Sequence, residues 1–256
     1  MARWWAEFER ARPEEVAYYA AAIRRFGQPA LDLGCGAGRL LVPLLDDGFD
    51  VDGVDIAPDM LAHAAAAARE GDHAPVLTVQ ALHQLDLKRT YRTAYGSGVF
   101  GIGVARSDDR EALRRIHRHL EPGGALLLEH ELPYAGRDEA SWARWLAGRR
   151  QGIPRDWRAR GDRRRAADGD EIELITRLAS FDPLEQVQRF EIRARLWHAG
   201  EVVREEDDQL TENLYFAQEL LLLLEQTGFG PVSVEGPHTG RPAEPDDGTV
   251  IFVARA

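Results

Sequence analysis

Between residues 15 and 132 short apolar runs alternate with helical stretches, and this alternation constrains the fold more than any other feature. "EEVAYYAAAIRRFG" reads as a helix ending near Gly27, and "PALDLG" as a short buried strand. "GRLLVPLLDDG" is the helix after that strand, starting near Gly36. "DVDGVDI" is a second strand, and "PDMLAHAAAAAREG" is a helix opened by Pro58 and Asp59 and closed by Gly71. "PVLTVQA" and "YRTAYGS" are strands three and four. "SDDREALRRIHRHL" is a helix, and "GGALLLEHEL" is strand five after the turn "EPGG". Strands joined through helices require right-handed crossovers, which predicts an α/β chain with a parallel sheet covered on both faces. Ligands of such sheets bind beyond the carboxyl ends of the strands.

After residue 168 the period changes. Phe190, Ile192, Ala194 and Leu196 alternate with Arg189, Glu191, Arg193 and Arg195, the mark of antiparallel strands with one wet face. An antiparallel β insertion is therefore expected over about residues 170–211, with "HAGE" as a hairpin turn and "REEDDQ" as a solvated strand edge. "ENLYFAQELLLLLEQTGFG" returns to helix, and "PVSVEG" and "TVIFVARA" are two further strands. The whole reads as a single domain over 1–256, with an N-terminal helical region at about 1–27.

The chain carries a net charge of −11, which argues against nucleic acid as a partner, because phosphate binding needs a basic footprint. The local exception, "GRRQGIPRDWRARGDRRR" with its eight arginines, reads as a solvated segment. No apolar run reaches the roughly 18 residues of a membrane span, and no signal-peptide core is present, so a cytoplasmic location without membrane association is expected. Cys35 is the single cysteine, so internal disulfides and Cys-based zinc clusters are excluded. His63, His73 and His83 fall on a helix, a loop and a turn, and no metal site is expected.

The stretch "LDLGCGAGRLL" carries the chemistry. Gly34, Gly36 and Gly38 bring a bare backbone to a strand end, where a nucleotide cofactor can approach closely. A dinucleotide fingerprint G-x-G-x-x-G counted from Gly34 requires glycine at position 39, which is Arg39. Asp32, just before the loop, also suits a ligand with a cationic amino group better than a pyrophosphate. Asp55 ends the second strand 21 residues after Gly34, where a carboxylate can accept ribose hydroxyls.

At this point the chain resembles a known family. "LDLGCGAGRLLVPLL", "VDGVDIAPDML", "LDLKRTYRTAYGSGVF" and "LRRIHRHLEPGGALLLEHELP" look like the ordered motifs of class I S-adenosylmethionine-dependent methyltransferases. The resemblance covers roughly residues 15–134 and 213–256. It is nearest to small-molecule N- and O-methyltransferases that act on amino sugars, amines and natural products. It implies a Rossmann-like seven-stranded sheet, S-adenosyl-L-methionine as cofactor and S-adenosyl-L-homocysteine as product. Asp32, Gly34, Cys35, Gly36 and Gly38 would line the methionine and ribose part. Asp55 would take the ribose hydroxyls, Ile56 and Met60 would pack on the adenine, and Ala81 and Leu82 would flank its other face. The family often has Asp at the place of Ala81. Gly96 and Ser97 would lie near the sulfonium, and the N-terminal helix resembles the family's lid, with Tyr19 facing the cofactor.

Methyl transfer is an in-line displacement, and much of its catalysis can come from placing the nucleophile at attack distance in a closed site. His130 in "LLLEHELP" is the first candidate for a general base and Glu131 the second, as base or as clamp for a cationic amine. The expected partner is a small-molecule acceptor bearing an amine or hydroxyl, with the chain a monomer or homodimer. Trp142, Trp145 and Trp157 fall where substrate pockets often sit, but helix-to-core packing is the favoured reading of them. Two other readings stay open at this stage: a nicotinamide-dependent oxidoreductase, and a non-catalytic S-adenosylmethionine-binding protein.

Overall fold

A computed structural model describes residues 2–133, 142–150 and 152–256; Gln151 of the arginine-rich segment lies outside the described residues. Two helices open the chain, α1 (Ala2–Phe8) and α2 (Pro13–Phe26). There follow β1 (Ala30–Leu33), α3 (Leu41–Asp46), β2 (Val51–Asp55), α4 (Pro58–Glu70), β3 (Leu77–Val79) and β4 (Tyr91–Ser97). The first half ends with α5 (Arg106–His119) and β5 (Leu120–Glu131). Next come β6 (Asp162–Arg165), β7 (Glu171–Asp182), β8 (Val187–His198) and β9 (Glu201–Asn213). The chain closes with α6 (Ala217–Gln226), β10 (Val232–Glu235) and β11 (Thr249–Arg255).

Seven strands form one sheet in the order β10-β11-β5-β4-β1-β2-β3. β5, β4, β1, β2 and β3 run parallel, and β11 lies antiparallel between β10 and β5. The pleat sends successive side chains to opposite faces. Leu126 and Leu128 therefore join one apolar cluster, with Leu113, Ile116, Leu220 and Phe252. Ala125 and Leu127 join the other, with Tyr19, Ile23, Leu41 and Ile251. By the same alternation Glu129 follows Leu127 toward α2, and His130 follows Leu128 toward α6. Pro13 at the first turn of α2, Glu14 and Glu15 near its start and Arg24 and Arg25 at its end suit a helix of that polarity.

Three boundaries differ from the expectations. The helix after the glycine loop starts at Leu41, not near Gly36, because Gly34, Gly36 and Gly38 hold φ of 67°, 55° and 89° and cannot continue a right-handed helix. The insertion is a four-stranded sheet in the order β6-β7-β8-β9, reaching from residue 162 to 213. Its extra strand, β6, comes from the arginine-rich segment and keeps its side chains exposed. The last helix starts only at Ala217, because Asn213 is pinned to the loop after β4: its N–H donates to the Gly101 carbonyl at 2.7 Å. The "HAGE" hairpin is present, with Ala199 and Gly200 both at positive φ.

Candidate functional site

The glycine loop bends back over the end of β2. The amides of Gly34 and Cys35 both donate to the Val54 carbonyl, and the Gly36 amide donates to Asp55 Oδ2 at 2.9 Å. Ala57 donates to Asp55 Oδ1 at 2.8 Å, so this carboxylate ties the loop to the start of α4. A six-residue α3 set back to Leu41 leaves the loop amides, not a helix terminus, as the donors nearest the cleft. Cys35 points away from it: its Sγ fills the space a side chain on Gly53 would need, and burial pushes the thiol pKa up.

A cleft of about 210 Å³ brings together Gly34, Asp55, Ile56, Ala81 and Leu82 from the expected set. Met60 is not among the residues lining the cleft; it packs on the glycine loop, its Cε 3.2 Å from where a Gly36 Cβ would lie. The same cleft is lined by residues the motif reading missed: Val99, Phe100, Ile102, Val104, Asp109 and, from the insertion, Leu210. Val99 explains two glycines directly. Its methyl groups would sit 2.3 Å from a Cβ on Gly34 and 2.9 Å from one on Gly96. The sequence signal was present in "GSGVFGIG", where Gly98, Gly101 and Gly103 all adopt positive φ.

Beside the cleft lies a polar group built on three strand ends. Asp32 is 3% exposed, and its Oδ2 has no hydrogen-bond partner among the described residues. Burial pushes its pKa up to about 8, with the Asp55 charge adding to the rise and the Tyr95 hydroxyl and Arg39 opposing it. Arg39, the residue that broke the dinucleotide pattern, pairs with Glu15 of α2 at 2.7 Å and donates to Ser97 Oγ at 3.0 Å. Ser97 in turn donates to Glu129 Oε2 at 2.8 Å, and the Tyr19 hydroxyl donates to the same oxygen at 3.0 Å. His238, from the loop between β10 and β11, reaches that oxygen through Nε2 at 3.1 Å. Burial works against the Glu129 carboxylate, but the bonds from His238, Ser97 and Tyr19 outweigh it and hold its pKa below the usual range. Tyr19 and Ser97 were expected at the site; Glu129 and His238 were not.

The two base candidates sit differently. His130 is 8% exposed, on the opposite face of β5 from Glu129, and its Nε2 donates to the Tyr215 carbonyl at 3.0 Å. Burial lowers its pKa, with the carbonyl acting the other way. Glu131 is exposed at the strand end, close enough to Glu212 for its charge to add to the burial that raises that carboxyl. Trp145 packs on Trp142, Phe181 and Phe216, while Trp157 lies between Arg177 and Arg193, each 4.6 Å from its ring. Among the described residues no cluster of three His, Cys, Asp or Glu could hold a metal, and no helix is long and apolar enough to cross a membrane.

Residues 30–124 match the methyltransferase domain family. The carboxy-S-adenosyl-L-methionine synthase of Chromohalobacter salexigens is 32% identical over 127 residues, 46% of this chain and 45% of that protein. The chain spans about half the length of the curated relatives it matches. Among solved structures, S-adenosylmethionine-bound CalS10, an amino pentose methyltransferase from Micromonospora echinaspora, superposes with a TM-score of 0.63 at 25% identity. That match covers 94% of this chain and 90% of CalS10. The CcbJ methyltransferase of Streptomyces caelestis shares the fold, with a TM-score of 0.73 at 20% identity over 100% of this chain and 95% of its own. Strand order, glycine loop and family match agree: residues 30–124 are similar to the methyltransferase domain family, and the chain has the Rossmann-like fold of the class I S-adenosylmethionine-dependent methyltransferases.

Proposed function

We propose that the chain transfers a methyl group from S-adenosyl-L-methionine to an amine or hydroxyl of a small-molecule acceptor. The observation that carries this reading is Asp32, a buried carboxylate with one unpartnered oxygen at the foot of the glycine loop. An unpaired buried carboxylate is costly, and a cationic ligand relieves that cost. S-adenosylmethionine brings an ammonium and a sulfonium there, whereas a dinucleotide brings a pyrophosphate. Asp55 suits the ribose hydroxyls, since each of its oxygens accepts one backbone N–H and keeps a lone pair free. Ile56 and Met60 on one side, and Ala81 and Leu82 on the other, suit the adenine, with the backbone of Gly34 to Gly38, Gly96 and Ser97 along the rest.

The bound cofactor supplies an electrophilic methyl. The chain's own contribution is to hold the acceptor in line with it and to exclude water. Glu131 and His130 are the proposed proton acceptors, His130 through Nδ1 because Nε2 is engaged as a donor. The acceptor chemistry of CalS10, an amino pentose, supports a small-molecule substrate. A monomeric or dimeric protein of the cytoplasm is part of the same reading.

Calorimetry with S-adenosylhomocysteine and, separately, NADH tests the cofactor: binding of the first alone is expected, and binding of NADH alone overturns the reading. Turnover across a library of amines, alcohols and phenols tests the activity, with a non-catalytic binding protein giving none.

A further inference from the structure

Glu129 is a strand-end carboxylate surrounded by donors that all reach the same atom. Oε2 accepts from Tyr19 of α2, Ser97 of β4 and His238 of the β10–β11 loop, while Oε1 accepts nothing among the described residues. Three elements far apart in the chain thus fix the orientation of one carboxylate and leave its second oxygen available. His238 reaches its position with a left-handed backbone, φ 52°, uncommon for a non-glycine residue. Its side chain is 3% exposed and packs edge-on against Tyr18 and Tyr19, with centroids 5.7 and 5.9 Å away. The carboxylate stands at the carboxyl end of β5, one strand from Ser97 at the end of β4, where ligands of such sheets bind.

Resting on the methyltransferase reading, we propose that the acceptor is an amine and that Glu129 Oε1 takes an N–H of its attacking nitrogen. During transfer the nitrogen lone pair forms the new C–N bond while the C–S bond breaks, leaving its electron pair on sulfur. The nitrogen becomes cationic. A carboxylate already ionised and already oriented faces that charge without reorganising, and the surplus proton passes afterwards to Glu131, exposed at the same strand end, and on to solvent. A hydroxyl acceptor needs the opposite help, a base that removes its proton. A carboxylate whose ionised form is stabilised by three donors is poorly suited to that task. Glu129 is then a catalytic residue, and His238 and Tyr19 are positioning residues that act through it.

The test uses the full chain, S-adenosylmethionine, and a panel of primary and secondary amines matched with the corresponding alcohols and phenols. Formation of S-adenosylhomocysteine is the readout. Turnover is expected with amines and not with their hydroxyl counterparts. Glu129→Gln is expected to lower kcat by about 10²-fold, the size of losing one preorganised charge-stabilising group, while S-adenosylhomocysteine affinity changes by less than about threefold. His238→Asn, in a peripheral loop, is expected to lower kcat by a smaller factor with KM little changed, and provides the test should Glu129→Gln not fold. Turnover of hydroxyls alone overturns the proposal, as does wild-type kcat in Glu129→Gln. A collapse of S-adenosylhomocysteine affinity in that variant also overturns it, by assigning the carboxylate to the cofactor. Failure of the wild-type chain to bind S-adenosylhomocysteine overturns the underlying methyltransferase reading instead, and binding without turnover of any amine overturns the amine assignment alone.

Discussion

The two sheets of this molecule are stabilised in opposite ways. In the seven-stranded sheet, β1 is buried along its whole length and Ala125 to Leu128 of β5 are buried without interruption, because apolar clusters cover both faces. In the four-stranded sheet β7 and β8 are buried only at scattered positions such as Ile172, Ile175, Leu178, Ile192 and Ala194, and β9 is exposed through most of its length. Its wet face carries cross-strand ion pairs, Arg193 with Asp207 at 2.8 Å and Arg195 with Glu205 at 2.6 Å. A sheet packed on both faces holds its strand ends in place, so the cofactor-side residues sit on rigid positions. A one-sided sheet of charged pairs tolerates change in its solvent-facing residues. The two meet at a narrow seam. Asn213 Nδ2 and the Tyr215 hydroxyl both donate to Asp109 Oδ2, at 2.7 and 2.8 Å, and Asp109 also lines the cleft.

The largest expected effect comes from breaking the two-sided packing. Phe252→Ala removes a fully buried ring from β11 and should cost about 3–5 kcal/mol in chemical denaturation, with one cooperative transition. A cost near zero would show that the sheet is not held from both faces as described. The seam comes second. Asp109→Ala strips two buried donors of their acceptor and should cost about 1–3 kcal/mol. It should also weaken S-adenosylhomocysteine binding, since the insertion's Leu210 shares the cleft. An unchanged melting midpoint and affinity would mean that the sheets are coupled elsewhere.

A third effect is electrostatic and confined to the cofactor side. Because Asp32 has a folded-state pKa of about 8, above its unfolded value, its contribution favours the fold at low pH and is lost as pH rises through 8. A bound cation reverses the preference and drives the proton off. S-adenosylhomocysteine affinity should therefore increase with pH, by up to about tenfold per unit below 8. Calorimetry at pH 7 in buffers of different ionisation enthalpy should register proton release in the wild type and none in Asp32→Asn. The smallest effect is on the outer ladder: Asp207→Ala should leave the unfolding midpoint within error at high salt, because the pair of an exposed carboxylate is screened. A marked shift would contradict the contrast between the sheets.

Much of the first sheet was legible because period and punctuation are local. Pro58 and Gly71 bracket α4 as written in the chain, and period-2 alternation in residues 189–196 marks a half-wet strand before any partner is known. Asp55, Ala81 and Leu82 follow from their places at the ends of consecutive strands, and they do share a cleft. Val99 and Leu210 escaped because one belongs to an irregular loop and the other to a strand contributed from more than a hundred residues away. His130 attracted notice for its chemistry, but the pleat decides which face a strand residue meets. Glu129, one position earlier, turns to the α2 side, where Tyr19 and His238 converge on it.

By itself the sequence determined the strand and helix order of the seven-stranded sheet, the glycine loop, and the exclusion of a dinucleotide fingerprint by Arg39. These depend on residue identity and on spacing along a few turns of chain. Only the tertiary structure decided that Asp32 is buried with an unpartnered oxygen, that Arg39 joins Glu15 to Ser97, and that His238 closes on Glu129 from 109 positions away. The physical reason is that burial and hydrogen-bond geometry are properties of surroundings, and those surroundings exist only once distant segments have packed together.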